Sequence, residues 1–154
     1  MLDDRDRKIL VLLQEDAALA VSDLAERVSL SISACSRRIQ RLEDDGYIAR
    51  RVVLLDRALA GLPTTMFVIV RTARHSADWL EQFRAAIMDV PEIVEVHRMT
   101  GTFDYILKLA LPRVEAYDDI YKALIERVEF FDMSASVSME TLKATTTLPT
   151  RYAR

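Results

Sequence analysis

The chain has 154 residues, 51% of them hydrophobic, with only three glycines, four prolines and a net charge of −3; a packed core is within reach, and disordered or fibrous classes are excluded. Its one cysteine, Cys35, rules out an intramolecular disulfide and fits a reducing compartment. No apolar run approaches the ~20 residues of a membrane-crossing helix, and the charged run Asp3-Asp4-Arg5 near the start argues against a secretory signal, so the expected location is cytoplasmic.

The first predicted helix opens on Asp3 as N-cap, with Asp6 three residues on in a capping-box arrangement, and carries Ile9, Leu10, Leu12 and Leu13 as its apolar stripe to about residue 15. Ser22 is expected to cap a short second helix that turns Leu24, Ala25 and Val28 inward. A tight joint, Ser29-Leu30-Ser31, leads into a third helix capped by Ser31, running to about residue 44 and stopped by Gly46. Three helices with a three-residue joint between the second and third read as helix-turn-helix. Residues 47–55, rich in Ile, Val and Leu, read as a strand or short wing. Residues 56–64 form the linker, giving domains of 1–55 and 65–154.

Beyond the linker the pattern changes. Residues 66–70 are a β-type run, 77–88 a helix, 93–99 a strand, 100–102 a turn and 104–111 a second strand. Pro112 introduces a helix carrying Tyr117, Ile120, Tyr121, Leu124 and Val128 at helical spacing. Residues 131–140 alternate with period two, Met133, Ala135, Val137 and Met139 against Ser134, Ser136, Ser138 and Glu140. The order β-α-β-β-α-β is the ferredoxin-like split unit, so the fold class is α+β. Phe67 and Ile69 point one way and Val68 and Val70 the other. Two helices cover one face of a four-stranded sheet, so the second face needs cover, either from a second copy of the chain or from the N-terminal domain.

On a 100° wheel the third helix sets Cys35, Ile39 and Leu42 together, with Ser33, Arg37, Gln40 and Arg41 opposite and Arg38 on the flank. A helix entering the major groove uses such side chains: Arg pairs with guanine, Gln with adenine, and Ser31 or Ser33 with phosphate or a base edge. The bland alternative is that these arginines only solvate the helix. Overall charge offers no support, since residues 1–62 carry 10 basic against 11 acidic side chains. Placement supplies it instead: Arg37, Arg38 and Arg41 cluster, followed by Arg50 and Arg51. Cys35 reads as packing, and His75 and His97 lie far from it and from each other, so neither metal nor thiol chemistry is expected.

Taken together these residues resemble the Lrp/AsnC, or feast/famine, family of regulators. The match runs through Asp6-Arg7-Lys8-Ile9-Leu10, then residues 23–31, then Arg37-Arg38-Ile39 with Arg41-Leu42-Glu43-Asp44-Asp45-Gly46-Tyr47-Ile48. It continues with Leu55-Asp56 at the linker, Thr100-Gly101-Thr102-Phe103-Asp104-Tyr105 against the family's G-x-x-D-Y turn, and the closing run from Lys143 to Pro149. The resemblance implies a winged helix-turn-helix followed by a RAM/ACT-like sensing domain. It also implies homodimers that assemble to octamers, and operator binding modulated by an amino acid or related metabolite; the wording is nearest a branch associated with sulfur amino acids. Four positions depart from the family pattern: Ser29 stands where glycine is frequent, Ile32 where proline is common, Ser36 where a bulky apolar residue is common, and Thr102 where an acidic residue is common.

For an amino-acid effector, the backbone N–H groups of a glycine-permitted turn suit the carboxylate, and Asp104 suits the ammonium. Met99, Thr100, Gly101, Thr102 and Asp104 offer that combination, and Ser134, Ser136 or Ser138 could add hydroxyls. Equally, Gly101 serves as a turn residue that Asp104 caps, and Met99 and Met139 serve as core. No converging acid, base or nucleophile is found, so neither an enzyme nor a cofactor is expected. An interaction adaptor using the helix-turn-helix as scaffold is the remaining alternative; it predicts binding insensitive to salt.

Overall fold

A computed structural model describes residues 2–153. The chain divides into two compact units, residues 1–53 with 143–154, and residues 54–142.

In the first unit, α1 (Asp4–Glu15) is capped as its sequence predicts: Asp3 accepts the Asp6 N–H at 2.8 Å, and the Asp6 side chain accepts the Asp3 N–H at 3.1 Å. Helix α2 (Val21–Arg27) departs from expectation. Its N-cap is Ala20, with no side-chain cap, so Ser22 sits inside the first turn and bonds Asp23 instead. The joint to α3 (Ile32–Asp44) is a Schellman turn: the Leu30 N–H donates to Ala25 O at 2.9 Å and the Ser29 N–H to Glu26 O at 3.1 Å. Ser29 is left-handed there (φ 55°), a conformation that costs a non-glycine residue about 1–2 kcal/mol. The three helices close over Ile9, Leu10, Leu24, Ala25, Val28, Cys35, Ile39 and Leu42. Residues 47–55, expected as a strand or short wing, form no strand: no ladder partner stands beside them among the described residues, and Val52, Val53, Leu54 and Leu55 are exposed.

The C-terminal segment also belongs to this unit. The Arg7 guanidinium donates to the carbonyls of Thr150 (2.6 Å) and Ala153 (2.7 Å), while Gln14 and Leu148 exchange hydrogen bonds of 2.6 and 3.2 Å. The sequence reading carried the second domain to 154; residues 143–153 instead pack with the first unit. These tail residues carry no periodic apolar pattern that could have shown it.

The second unit is β1 (Thr64–Arg71), α4 (Ala77–Met88), β2 (Ile93–Arg98), β3 (Tyr105–Leu111), α5 (Tyr117–Arg127) and β4 (Asp132–Val137). The sheet is antiparallel throughout, in the order β2-β3-β1-β4, as the split unit requires. A 3₁₀ turn, Val114–Ala116, intervenes between Pro112 and α5. Met66, Val68 and Val70 with Tyr105, Leu107, Leu109 and Leu111 meet Trp79, Phe83, Ala86, Ile120 and Leu124 in one core. Trp79 and Phe83 stack at 5.0 Å, and the indole N–H donates to Glu129 O at 2.7 Å. The opposite face carries Phe67, Ile69, Ile106, Lys108, Ser134 and Ser136, in cross-strand rows His97–Ile106–Ile69–Ser134 and Glu95–Lys108–Phe67–Ser136. Phe67 is exposed and Ile69 and Ile106 are half-buried.

Candidate DNA-contacting helix and effector turn

The Ser31 hydroxyl accepts the Ala34 N–H at 3.2 Å and starts α3, whose stripe of Cys35, Ile39 and Leu42 is buried. At 100° per residue, burying that stripe drives Ser33, Arg37 and Gln40 to the opposite side, and all three are exposed. Arg37 makes no hydrogen bond or ion pair among the described residues, whereas Gln40 donates to Asp44 at 2.9 Å. Burial raises the Cys35 thiol pKa, so the thiol stays protonated and behaves as core.

Arg38 and Arg41 lie elsewhere. Both fall on the flank of α3 that meets α1. Arg38 donates to Asp3 at 2.6 Å and to Asp6 at 2.8 Å, and Arg41 donates to Asp6 at 2.6 Å. Arg38 is thereby drawn away from the outward strip, whereas Arg41, though paired, stays about half exposed. Asp6 was read from sequence only as a cap. Its spacing to Ile9, Leu10 and Leu13 (i+3, i+4, i+7) put it on the apolar stripe, which was a signal that a buried carboxylate would need cations. Asp3 is held down at about 2, first by the Asp6 N–H and then by Arg38.

In the second unit Met99, Thr100, Gly101 and Thr102 form the exposed β2–β3 turn, with Gly101 at φ 115°, a conformation glycine alone adopts without strain. Asp104 ties this turn to the end of β1. Its N–H donates to Val70 O (3.0 Å), its carbonyl accepts from Met99 (2.7 Å), and its carboxylate accepts the Thr72 N–H (2.8 Å), with His75 Nδ1 4.0 Å away. Ser134 and Ser136 lie on β4, separated from β3 by β1, about 10 Å across the sheet. The predicted turn and serines therefore do not converge on one cavity. A shallow cleft of about 150 Å³ lies instead beside Thr72, Ala73 and Arg74, closed by Glu129, Phe130 and Phe131. Thr72 joins it to Asp104. Residues 72–74 and 129–131 come together only through sheet pairing, which local spacing does not reveal. Among the described residues no group of three His, Cys, Asp or Glu side chains is placed to hold a metal ion, and no helix is long and apolar enough to cross a membrane.

Comparison with known proteins matches residues 2–49 to the winged helix-turn-helix DNA-binding family and residues 65–148 to the Lrp/AsnC ligand binding domain. The chain is similar to the HTH-type transcriptional regulator Zrp of Zymomonas mobilis, 58% identical over 152 residues that cover 99% of each protein. Among solved structures it is similar to an AsnC family transcriptional regulator from Agrobacterium tumefaciens, 48% identical with a TM-score of 0.95, covering 99% of this chain and 100% of that one. It is also similar to a transcriptional regulator from Neisseria meningitidis solved as an L-Met complex, 33% identical with a TM-score of 0.93, covering 98% of each chain.

Proposed function

The chain belongs to the Lrp/AsnC family of DNA-binding transcription regulators under effector control, and on that footing we propose that it reads its operator through the outward strip of α3 and responds to an amino acid held by its second unit. One observation carries the DNA-contact assignment: Arg37 is exposed and has no partner among the described residues, directly opposite the buried stripe of Cys35, Ile39 and Leu42. An Arg so placed suits a bidentate pair with guanine, Gln40 an adenine, and Ser31 and Ser33 the phosphates next to the helix N-terminus. Arg37→Ala is expected to weaken operator binding about 10- to 100-fold and to relax sequence preference, the scale of one lost bidentate pair. A gel-shift titration checks it; unaltered affinity would remove Arg37 from the interface.

For the effector, the Neisseria relative's L-Met complex makes methionine and other sulfur amino acids the first to test. The Met99–Thr102 turn and Asp104 are the proposed ligand groups, with Ser134 and Ser136 facing the same side as Phe67 and Ile69. Calorimetry against the standard amino acids, repeated on Asp104→Asn, tests the assignment: equal heats in both proteins exclude Asp104. The open sheet face is the proposed seat of a second copy, since Phe67, Ile69 and Ile106 form an apolar band flanked by the Glu95–Lys108 pair (2.6 Å), and dimers of this kind assemble further toward an octamer. The protein acts as a cytoplasmic regulator and not as an enzyme.

A further inference from the structure

Two of the three arginines on α3 are spent inside the first unit. The Asp6 side chain is 1% exposed, and each of its oxygens takes a guanidinium: Oδ1 accepts from Arg38 at 2.8 Å and Oδ2 from Arg41 at 2.6 Å. Asp3 adds a second carboxylate to Arg38 at 2.6 Å, so two acids face two arginines and the cluster is neutral. Both arginines reach across from α3 to α1, over 32 and 35 residues of sequence. A carboxylate so deeply buried is tolerated only while its partners stay, and its partners are held in turn. Arg38 is three-quarters buried; Arg41 is about half exposed. The arginine pKa rises through the Asp3 and Asp6 hydrogen bonds, in line with a firmly held Arg38.

We propose that Asp6 is a positioning residue for operator recognition: by clamping Arg38 and Arg41 against α1 it fixes the rotation of α3 about its axis and confines DNA contact to Ser31, Ser33, Arg37 and Gln40. The inference rests on α3 being the helix that enters the groove. It follows that two side chains which look from sequence like phosphate or base contacts contribute to specificity indirectly. Their charge is withheld from DNA, and this keeps sequence-independent attraction low.

The test uses the full chain, a duplex selected by the unaltered protein from a randomised library, and a scrambled duplex of equal length. Affinity is measured across a salt series for Arg37→Gln, Arg38→Gln, Arg41→Gln and Asp6→Asn. Each lost phosphate contact lowers the slope of log affinity against log salt by about 0.9. Arg38→Gln is expected to leave that slope unchanged, and Asp6→Asn to steepen it by one to two as the arginines are released. Asp6→Asn should also raise affinity for the scrambled duplex and cut the selected-to-scrambled ratio at least tenfold. Should Asp6→Asn fail to fold, Arg41→Gln, which leaves Asp6 paired with Arg38, carries the test, with the slope kept and the ratio lowered; a slope lower by about one in that variant also overturns the proposal. A slope lower by about one in Arg38→Gln overturns the proposal, as does an Asp6→Asn protein changed only in melting temperature. Arg37→Gln identical to the unaltered protein on both duplexes would overturn the underlying assignment of α3 as well.

Discussion

The two units handle their polar and apolar surplus in opposite ways. The helical unit satisfies its charge internally: Asp6 lies among core residues and is answered by Arg38 and Arg41 of another helix, leaving Arg37 free to face solvent. The sheet unit satisfies its apolar side chains on one face only. Met66, Val68 and Val70 are sealed under α4 and α5, while Phe67 and Ile69, alternating with them, stay accessible. A helix offers a stripe that neighbouring helices can enclose completely, whereas each strand necessarily presents two faces. The difference underlies where each unit is proposed to meet its partner: the helical one through a residual charged strip, the sheet one through an unsealed surface.

The sharpest way to break this comparison is to attack one core and watch the other. Leu42→Ala removes a fully buried side chain from the helical core and is expected to cost that unit about 2–5 kcal/mol while sparing the sheet unit. Differential scanning calorimetry should show one transition displaced; two equally displaced transitions would mean that the cores are not independent. Next in size, Ile69→Lys places a charge in the middle of the open face and is expected to weaken self-association by more than tenfold. Sedimentation equilibrium measures it, and an unchanged mass would leave that face without its proposed occupant. A smaller effect concerns the Tyr117 hydroxyl, buried without a hydrogen-bond partner among the described residues, its pKa pushed up to about 12 by burial and then by Tyr121. Removing an unsatisfied polar group relieves its desolvation, so Tyr117→Phe should be neutral or stabilising by up to about 1 kcal/mol in urea denaturation; clear destabilisation would reveal a partner.

The smallest effect is in acid. Asp3 falls from an ordinary 3.8 to about 2 on folding, so its contribution is complete above about pH 4 and is lost as the pH drops toward 2. Asp3→Asn keeps an N-cap oxygen but loses the charge. Its stability should lie below that of the unaltered protein at pH 5 and converge with it near pH 2. A gap constant over that range would show that the charge of Asp3 adds nothing.

Local pattern accounts for what the sequence made legible. The α1 capping box, the Ser31 cap, the Gly46 stop and the β-α-β-β-α-β order all rest on residues within a few positions of each other, where hydrogen bonding and periodicity act directly. Ser22 failed as a cap because α2 begins two residues earlier than such a cap would set it, at Val21 after Ala20, an offset that propensity alone does not resolve. Residues 47–55 read as strand from composition, yet a strand needs a neighbour to bond and that chain has none among the described residues.

From its own order of residues the chain determined which side of α3 is buried, where α1, α3 and α4 start, and that its second half would build a split βαββαβ sheet, because each of these follows from short-range spacing. Tertiary structure alone decided that Arg38 and Arg41 turn back to Asp6, that the tail from Lys143 joins the first unit, and that Asp104 is committed to Thr72, 32 residues away. Those choices pit the burial of one charged or polar group against the reach of another distant in sequence, and that balance is struck only when the chain has folded.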